Sequence, residues 1–191
     1  IPGSGEAADS ISLISIVRDK VKLEEKSAQS KILEIEQEGQ TYKLGVIDIP
    51  AFYLDFEAYR NRDPNYKSTT RDVSQLLIDL TEQQVDGIIL DLRNNGGGSL
   101  FEATALTDLF IDRGPVVQIR DSSQRIYRNQ RATMPALYNG PVVVMINRLS
   151  ASASEIFAGA LQDYGRALIV GSRSYGKGTV QDVTGLTSGQ L

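Results

Sequence analysis

Short apolar runs alternate with amphipathic stretches along most of this chain. The stretch 70–83 places Val73, Leu77 and Leu80 on one face of a helix, and Thr69 is predicted to cap that helix. The apolar runs are too short for helices and rich in β-branched residues, which is typical of buried strands. The pattern predicts strands at 44–49, 87–92, 116–120, 142–146 and 167–170, and helices at 70–83, 100–110 and 155–164.

Strands that alternate with helices indicate an α/β fold, and the N-terminal part departs from this pattern. Residues 11–17 are strand-like, and Leu33 and Ile35 alternate with charged residues, so we expect short β segments ahead of the α/β core. Two stretches lack a clear period: 53–68 is predicted to be an exposed, mobile connection, and 121–139 is predicted to be irregular. For each, the alternatives are a part of a substrate cleft and a variable surface segment.

The composition is typical of one compact domain that binds neither nucleic acid nor metal. The chain has 191 residues, of which 41% are hydrophobic, enough for a sizeable core. Its net charge is -4 and its basic residues are scattered, which argues against a nucleic-acid partner. No apolar run is long enough to span a bilayer. Without histidine or cysteine, and without calcium-loop spacing of its acids, the chain is expected to need no metal or cofactor.

The absence of histidine and cysteine also restricts nucleophilic catalysis, because histidine is the usual activating base. A serine-rich segment, Ser-Ala-Ser-Ala-Ser-Glu at 150–155, directly precedes a predicted helix. N–H groups and the dipole at a helix N-terminus would stabilise an oxyanion beside Ser152. Ser152 and Glu155 also form the pattern of a capping box, which needs no chemistry. Spacing alone leaves open which serine of the segment reacts.

Lys177 lies 25 positions after Ser152, between two glycines. A lysine accepts a proton from serine only when its amine is neutral, and burial lowers a lysine pKa by up to roughly 3 to 5 units. A Ser/Lys dyad therefore requires a buried Lys177, and its activity should rise with pH. The alternative is a solvated loop lysine without a catalytic role.

A third segment, Arg-Asn-Asn-Gly-Gly-Gly-Ser at 93–99, follows the predicted strand at 87–92. Successive glycines permit positive φ angles and expose backbone N–H groups, so this loop is a candidate oxyanion hole or anion-binding nest. A flexible turn is the alternative.

Together the three segments resemble the tail-specific, or C-terminal processing, family of serine proteases, and the resemblance extends from about 43 to 181. It is strongest in Leu-Gly-Val-Ile-Asp-Ile-Pro at 44–50 and Asp-Leu-Arg-Asn-Asn-Gly-Gly-Gly at 91–98. The resemblance implies a ClpP/crotonase-like α/β core. It also implies Ser152 as the nucleophile, Lys177 as the base and Gln181 as the residue that orients the lysine. The implied oxyanion donors are the backbone N–H groups of Ala153 and of a glycine, for which Gly98 is preferred and Gly97 comes next. Ser150 and Ser154 are implied to be structural residues.

The resemblance is closest to the periplasmic Prc-like branch, and it carries expectations about the whole protein. Residues 1–25 would be the end of a PDZ domain with its linker, and 26–191 the catalytic core, truncated at its C-terminus. Because the sequence begins at Ile1 without methionine, we expect an excised fragment whose own activity is open. The implied substrates are proteins with apolar, unstructured C-termini, with a lipoprotein adaptor as partner. The implied location is the periplasm, in association with the cytoplasmic membrane.

Two alternatives to this protease hypothesis remain. The segment 171–178 nearly matches a phosphate-binding P-loop, but Gly178 occupies the position of the magnesium-binding hydroxyl. The other alternative is a relative that binds extended peptides without cutting them. Against it, Ser152, Lys177 and Gln181 are all present.

Overall fold

The structure, a computed structural model, describes residues 27–121, 123–128 and 135–179. The predicted strand at 11–17, the predicted PDZ remnant at 1–25 and Gln181 lie outside these residues. The elements in chain order are β1 Gln29–Gln37, β2 Gln40–Asp48, α1 Phe56–Arg60, α2 Thr69–Glu82, β3 Gly87–Asp91, α3 Leu100–Asp108, β4 Gln118–Arg120, β5 Ile126–Arg128, β6 Val142–Ile146, α4 Ala153–Asp163 and β7 Leu168–Gly171.

Five strands form the main sheet in the order β1-β2-β3-β6-β7. β1 pairs antiparallel with β2, whereas β2, β3, β6 and β7 are parallel neighbours. The predicted α/β class with short β structure ahead of the core is therefore confirmed. Because the carboxyl ends of parallel strands meet at one edge of a sheet, the loops that follow β3, β6 and β7 lie side by side.

The hydrophobic core lies between the sheet and helices α2, α3 and α4. Leu90 and Val144 of the sheet and Leu106 and Phe157 of the helices are all fully buried. Each such side chain contributes about 1.5 to 3 kcal/mol through removal from water. The core thus fixes the two helices that begin at the glycine-rich loop and at the serine-rich segment.

The cap of α2 differs from the prediction by one residue. Ser68, not Thr69, is the N-cap, and its hydroxyl accepts a hydrogen bond from the N–H of Arg71 at 3.3 Å. Thr69 is fully buried, and its Oγ1 accepts from the N–H of Tyr53 at 2.8 Å and donates to the carbonyl of Ala51 at 3.1 Å. The sequence shows two adjacent hydroxyl residues, either of which could cap the helix. It does not show that the second one, Thr69, hydrogen-bonds a segment distant in the chain.

The prediction of an exposed connection at 53–68 is wrong in part. The stretch contains α1, and Tyr53 at its start is buried. The Tyr53 hydroxyl donates to Asp72 at 2.6 Å and accepts from the N–H of Ala28 at 2.9 Å. Burial, together with the hydrogen bond to Asp72, raises the pKa of Tyr53. These partners are distant in sequence, so no local pattern could have indicated them.

The stretch 121–139 was likewise predicted to be irregular, but it contains β5, which pairs antiparallel with β4. β5 has only three residues, too few to show the alternation of polar and apolar positions that identifies a strand. Elsewhere the predicted elements are present, and the majority of their ends are shifted by one or two residues.

Candidate active site

The turn between β6 and α4 carries Ser152 in an unusual backbone conformation. Ser152 is the N-cap of α4, with φ 55° and ψ -112°. Non-glycine residues rarely adopt positive φ, and residues that do so cluster at functional sites. The strained turn therefore singles out Ser152 within the serine-rich segment.

The neighbouring serines are buried and fully engaged with the backbone. Ser150 Oγ donates to the carbonyl of Leu92 at 2.8 Å and accepts from the N–H of Asn147 at 2.9 Å. Ser154 Oγ donates to the carbonyl of Asn95 at 2.9 Å. Both serines have no exposed surface, whereas Ser152 is partly exposed and lines two cavities. The geometry thus distinguishes Ser152 from Ser150 and Ser154, which the spacing in the sequence did not.

Asn95 holds the glycine-rich loop in position, a role that was not predicted from the sequence. Its side chain is fully buried, where Nδ2 donates to the carbonyl of Ile49 at 2.7 Å and Oδ1 accepts from the N–H of Gly97 at 2.9 Å. Its own carbonyl accepts from the N–H of Ala151 at 3.0 Å. An asparagine that bonds the backbone two residues later is a known turn former, and this was the available signal.

Two glycines of this loop have positive φ and no space for a side chain. A Cβ on Gly97, at φ 102°, would lie 2.7 Å from the carbonyl oxygen of Ala151, and one on Gly98, at φ 142°, would overlap the carbonyl oxygen of Phe52. The N–H of Gly97 is already used by Asn95. Among the described residues, nothing accepts from the N–H groups of Gly98 and Ala153. These two groups are therefore available as donors to an oxyanion.

Ser152 and Lys177 line the same two cavities. One, of about 320 Å³, is formed with Gly98, Ala153 and Ile156 among others. The other, of about 340 Å³, extends to the β4 strand and is also lined by Val117, Ile119 and Ile156. The structure therefore brings together the predicted serine, the predicted lysine and the residues of the two predicted N–H donors, Gly98 and Ala153.

The expected burial of Lys177 is wrong for this structure, in which the residue is exposed. Its neighbours Tyr175, Gly176 and Gly178 are exposed as well. The loop lies at the edge of the sheet, beyond the end of β7.

Glu155 links the serine turn to the lysine loop. Its Oε2 accepts from the N–H groups of Ser152 at 2.8 Å and Lys177 at 2.9 Å. Its Oε1 accepts from the hydroxyl of Ser174 at 2.7 Å and from the N–H of Gly176 at 2.6 Å. Partial burial raises the pKa of Glu155, but these hydrogen bonds outweigh it, so the net pKa is lowered. The capping-box prediction identified only the bond to Ser152.

A larger cavity of about 640 Å³ lies away from Ser152 and was not predicted. It is lined by Asp48, Asp91 and Arg93, and Arg93 pairs with Asp91 at 2.7 Å. Burial raises the pKa of Asp48, with a further contribution from Asp91. Burial also opposes ionisation of Asp91, yet its hydrogen bonds from Arg93 lower the net pKa. We assign this cavity no part in the dyad.

Metal and nucleotide chemistry find no support in the described geometry. Across 27–121, 123–128 and 135–179, no group of acidic residues could hold a metal ion. The near-P-loop segment after β7 shows no helix between 172 and 179, although a P-loop opens directly into one. None of the helices in the described ranges has both the length and the apolar character of a membrane span.

Comparison with known proteins places these features in a family. The sequence profile of peptidase family S41 matches residues 43–191. The tail-specific protease of Haemophilus influenzae is 45% identical over 169 residues, which cover 88% of this chain and 22% of that protein. The chloroplastic C-terminal processing peptidase of Tetradesmus obliquus is 41% identical over 124 residues, covering 64% of this chain and 26% of that protein.

The fold is shared with a solved structure, that of the photosystem II D1 C-terminal processing protease. The TM-score is 0.67 at 31% identity, over 85% of this chain and 40% of that one. The present chain thus spans about a fifth to a quarter of the two sequence relatives and two fifths of the solved relative. The resemblance found in the sequence is confirmed: the chain belongs to peptidase family S41, with the tail-specific and C-terminal processing peptidases as its relatives.

Proposed function

We propose that the protein containing this chain is a serine endopeptidase that uses Ser152 and Lys177 as a catalytic dyad. One observation carries the proposal: both residues line the same two cavities, and one of these also holds Gly98 and Ala153, from whose N–H groups no described residue accepts. Family membership supports it, because the relatives named above are proteases.

In the proposed mechanism, neutral Lys177 removes the proton from Ser152 Oγ as that oxygen attacks a peptide carbonyl. The oxyanion accepts hydrogen bonds from the N–H groups of Gly98 and Ala153. Protonated Lys177 then donates to the leaving amine, which gives an acyl-enzyme on Ser152. Lys177 next activates the water that releases the acyl group.

A neutral lysine needs protection from water, and this structure leaves Lys177 exposed. A substrate segment that fills the two cavities would cover Lys177, since the residue lines both of them. Gln181, which lies outside the described residues, is proposed to orient the amine on the basis of the family resemblance. Assembly of the working dyad therefore belongs to the substrate complex in this proposal.

The proposed substrates are proteins with apolar, unstructured C-termini. The cavity beside β4 supports an apolar preference, because Val117, Ile119 and Ile156 line it next to Ser152. Ile119 is 44% exposed, so its side chain is accessible to a substrate in this cavity. The names of the relatives, tail-specific and C-terminal processing protease, support the choice of chain end.

The location and partner follow from resemblance alone. We propose a periplasmic protein, associated with the cytoplasmic membrane, that works with a lipoprotein adaptor. Fractionation of cells that express the full-length protein tests the location, and recovery in the cytoplasm contradicts it.

Degradation of a matched substrate pair tests the proposed function. The full-length protein is incubated with an unstructured protein that ends in apolar residues and with a twin that ends in charged ones, in EDTA and without nucleotide. We expect faster cleavage of the apolar twin and none by Ser152→Ala. Cleavage that needs nucleotide or metal, or binding of both twins without cleavage, contradicts the proposal.

A further inference from the structure

A helix cap does not account for the contacts of Glu155. A glutamate at the third position of a helix completes a capping box by accepting from the N-cap N–H, as Glu155 does from Ser152. Its three other donors belong to 174–177, which lie 19, 21 and 22 residues further along the chain. The carboxylate therefore joins the start of α4 to the loop that carries Lys177.

This loop depends on hydrogen bonds for its position. Residues 173–179 form neither helix nor strand, and Tyr175, Gly176 and Lys177 are exposed. The N–H of Tyr175 donates to the carbonyl of Ser150 at 3.0 Å, so the bonds from this loop run to the serine segment on both sides of Ser152. Hydrogen bonds to a charged acceptor are stronger than hydrogen bonds to a neutral one. The bonds to Glu155 therefore contribute more to holding this loop in place than the bond to the Ser150 carbonyl does.

Gly176 shows how closely the loop is fitted to the carboxylate. Its φ of 93° is a conformation that residues with side chains rarely adopt. This turn lets the N–H groups of Gly176 and Lys177 reach different oxygens of one carboxylate, Oε1 and Oε2. Oε2 also binds the N–H of Ser152, so a single oxygen atom connects the backbones of the two proposed dyad residues.

We propose that Glu155 is a positioning residue that sets the distance between the Lys177 amine and the Ser152 hydroxyl. The inference rests on the proposed Ser/Lys dyad and adds a residue that holds it together. Glu155 lines neither of the two cavities shared by Ser152 and Lys177, so it acts through the loop and not on the substrate. An ionised carboxylate accepts hydrogen bonds at both of its oxygens. A glutamine at position 155 would carry an NH₂ group in place of one oxygen, and this donor would face two of the four hydrogen-bond donors, which need an acceptor.

The test compares Glu155→Gln with Glu102→Gln in the full-length protein. Glu102 is a matched control, because it lies three residues after its N-cap Ser99, as Glu155 does after Ser152, and also bonds another element, accepting from the N–H of Thr70 at 2.7 Å. We expect Glu155→Gln to lower kcat at least tenfold with KM within about twofold. Ser174→Ala, which removes one of the four donors, should lower kcat less.

Glu102→Gln should lower the unfolding midpoint while kcat per folded molecule stays within about twofold of wild type. The proposal is overturned if Glu155→Gln keeps wild-type kcat, or if its loss of kcat disappears once the folded fraction is taken into account. Lys177→Ala, measured alongside, separates this proposal from the dyad itself. If Lys177→Ala is as active as wild type, both fail; if it is inactive while Glu155→Gln is fully active, only the role of Glu155 fails.

Discussion

At the scale of single residues, two buried or partly buried polar side chains hold the site in place. Asn95 fastens the glycine-rich loop to the end of β2 and to the serine turn, and Glu155 fastens the lysine loop to the same turn. The sequence predicted Ser152, Lys177, Gly98 and Ala153 through resemblance. It did not predict Asn95, whose bond from Gly97 was a local signal but whose bond to Ile49 joins distant segments. Nor did it predict the full role of Glu155, because the donors at 174–177 are distant in the chain.

The first prediction concerns Asn95→Ala. The substitution leaves the carbonyl of Ile49 and the N–H of Gly97 without partners in a buried site, so we expect a loss of about 3 kcal/mol of unfolding free energy. Urea unfolding of the chain measures it. The control is Asn65→Ala at an exposed position, which should change stability by no more than about 0.5 kcal/mol. Equal effects of the two substitutions would refute the role given to Asn95.

The second prediction concerns pH and Glu155. Its pKa in the folded chain is lowered from 4.5, so its stabilising contribution is complete above the unfolded value and declines as pH falls through the folded value. The difference in unfolding free energy between wild type and Glu155→Gln should therefore shrink as pH falls from about 5 to about 3. A difference that stays constant over this interval would show that Glu155 stabilises the fold without its charge.

At the scale of elements, the site consists of three loops whose shapes depend on backbone conformations that few residues allow. Gly97, Gly98, Gly176 and Ser152 all have positive φ. The sequence predicted most helices and strands because the core imposes a clear periodicity on them. It did not predict α1 or β5, whose five and three residues are too short to show one. It also placed the α2 cap at Thr69 rather than Ser68, since both residue types cap helices.

The third prediction uses the three glycines as an internal comparison. Ala at Gly98 or Gly97 requires a strained φ and places a Cβ against backbone atoms, whereas Ala at Gly96 meets nothing within 4 Å. We expect Gly98→Ala and Gly97→Ala each to destabilise the chain by at least about 2 kcal/mol, and Gly96→Ala by less than about 0.5 kcal/mol. Thermal unfolding of the three variants measures this order. A tolerated Gly98→Ala would contradict the close approach to Phe52.

At the scale of the whole molecule, the order of the strands brings the site together. β3, β6 and β7 are parallel neighbours, so the glycine-rich loop, the serine turn and the lysine loop emerge at one edge of the sheet. The alternation of elements predicted the fold class but not this order, which depends on contacts between distant segments. Nor could a local pattern show that Lys177 is exposed, because burial depends on what packs over its loop.

The most direct test of the Ser/Lys dyad is the kcat of Lys177→Ala, measured in the full-length protein on an unstructured substrate with an apolar end. Ser152→Ala and Lys43→Ala, the latter at an exposed lysine away from the site, are measured beside it, and circular dichroism checks folding. We expect Ser152→Ala and Lys177→Ala to be folded and to lose at least about 10³-fold in kcat, while Lys43→Ala keeps wild-type activity. Substantial cleavage by folded Lys177→Ala would show that another group is the base, and the proposed dyad would be wrong.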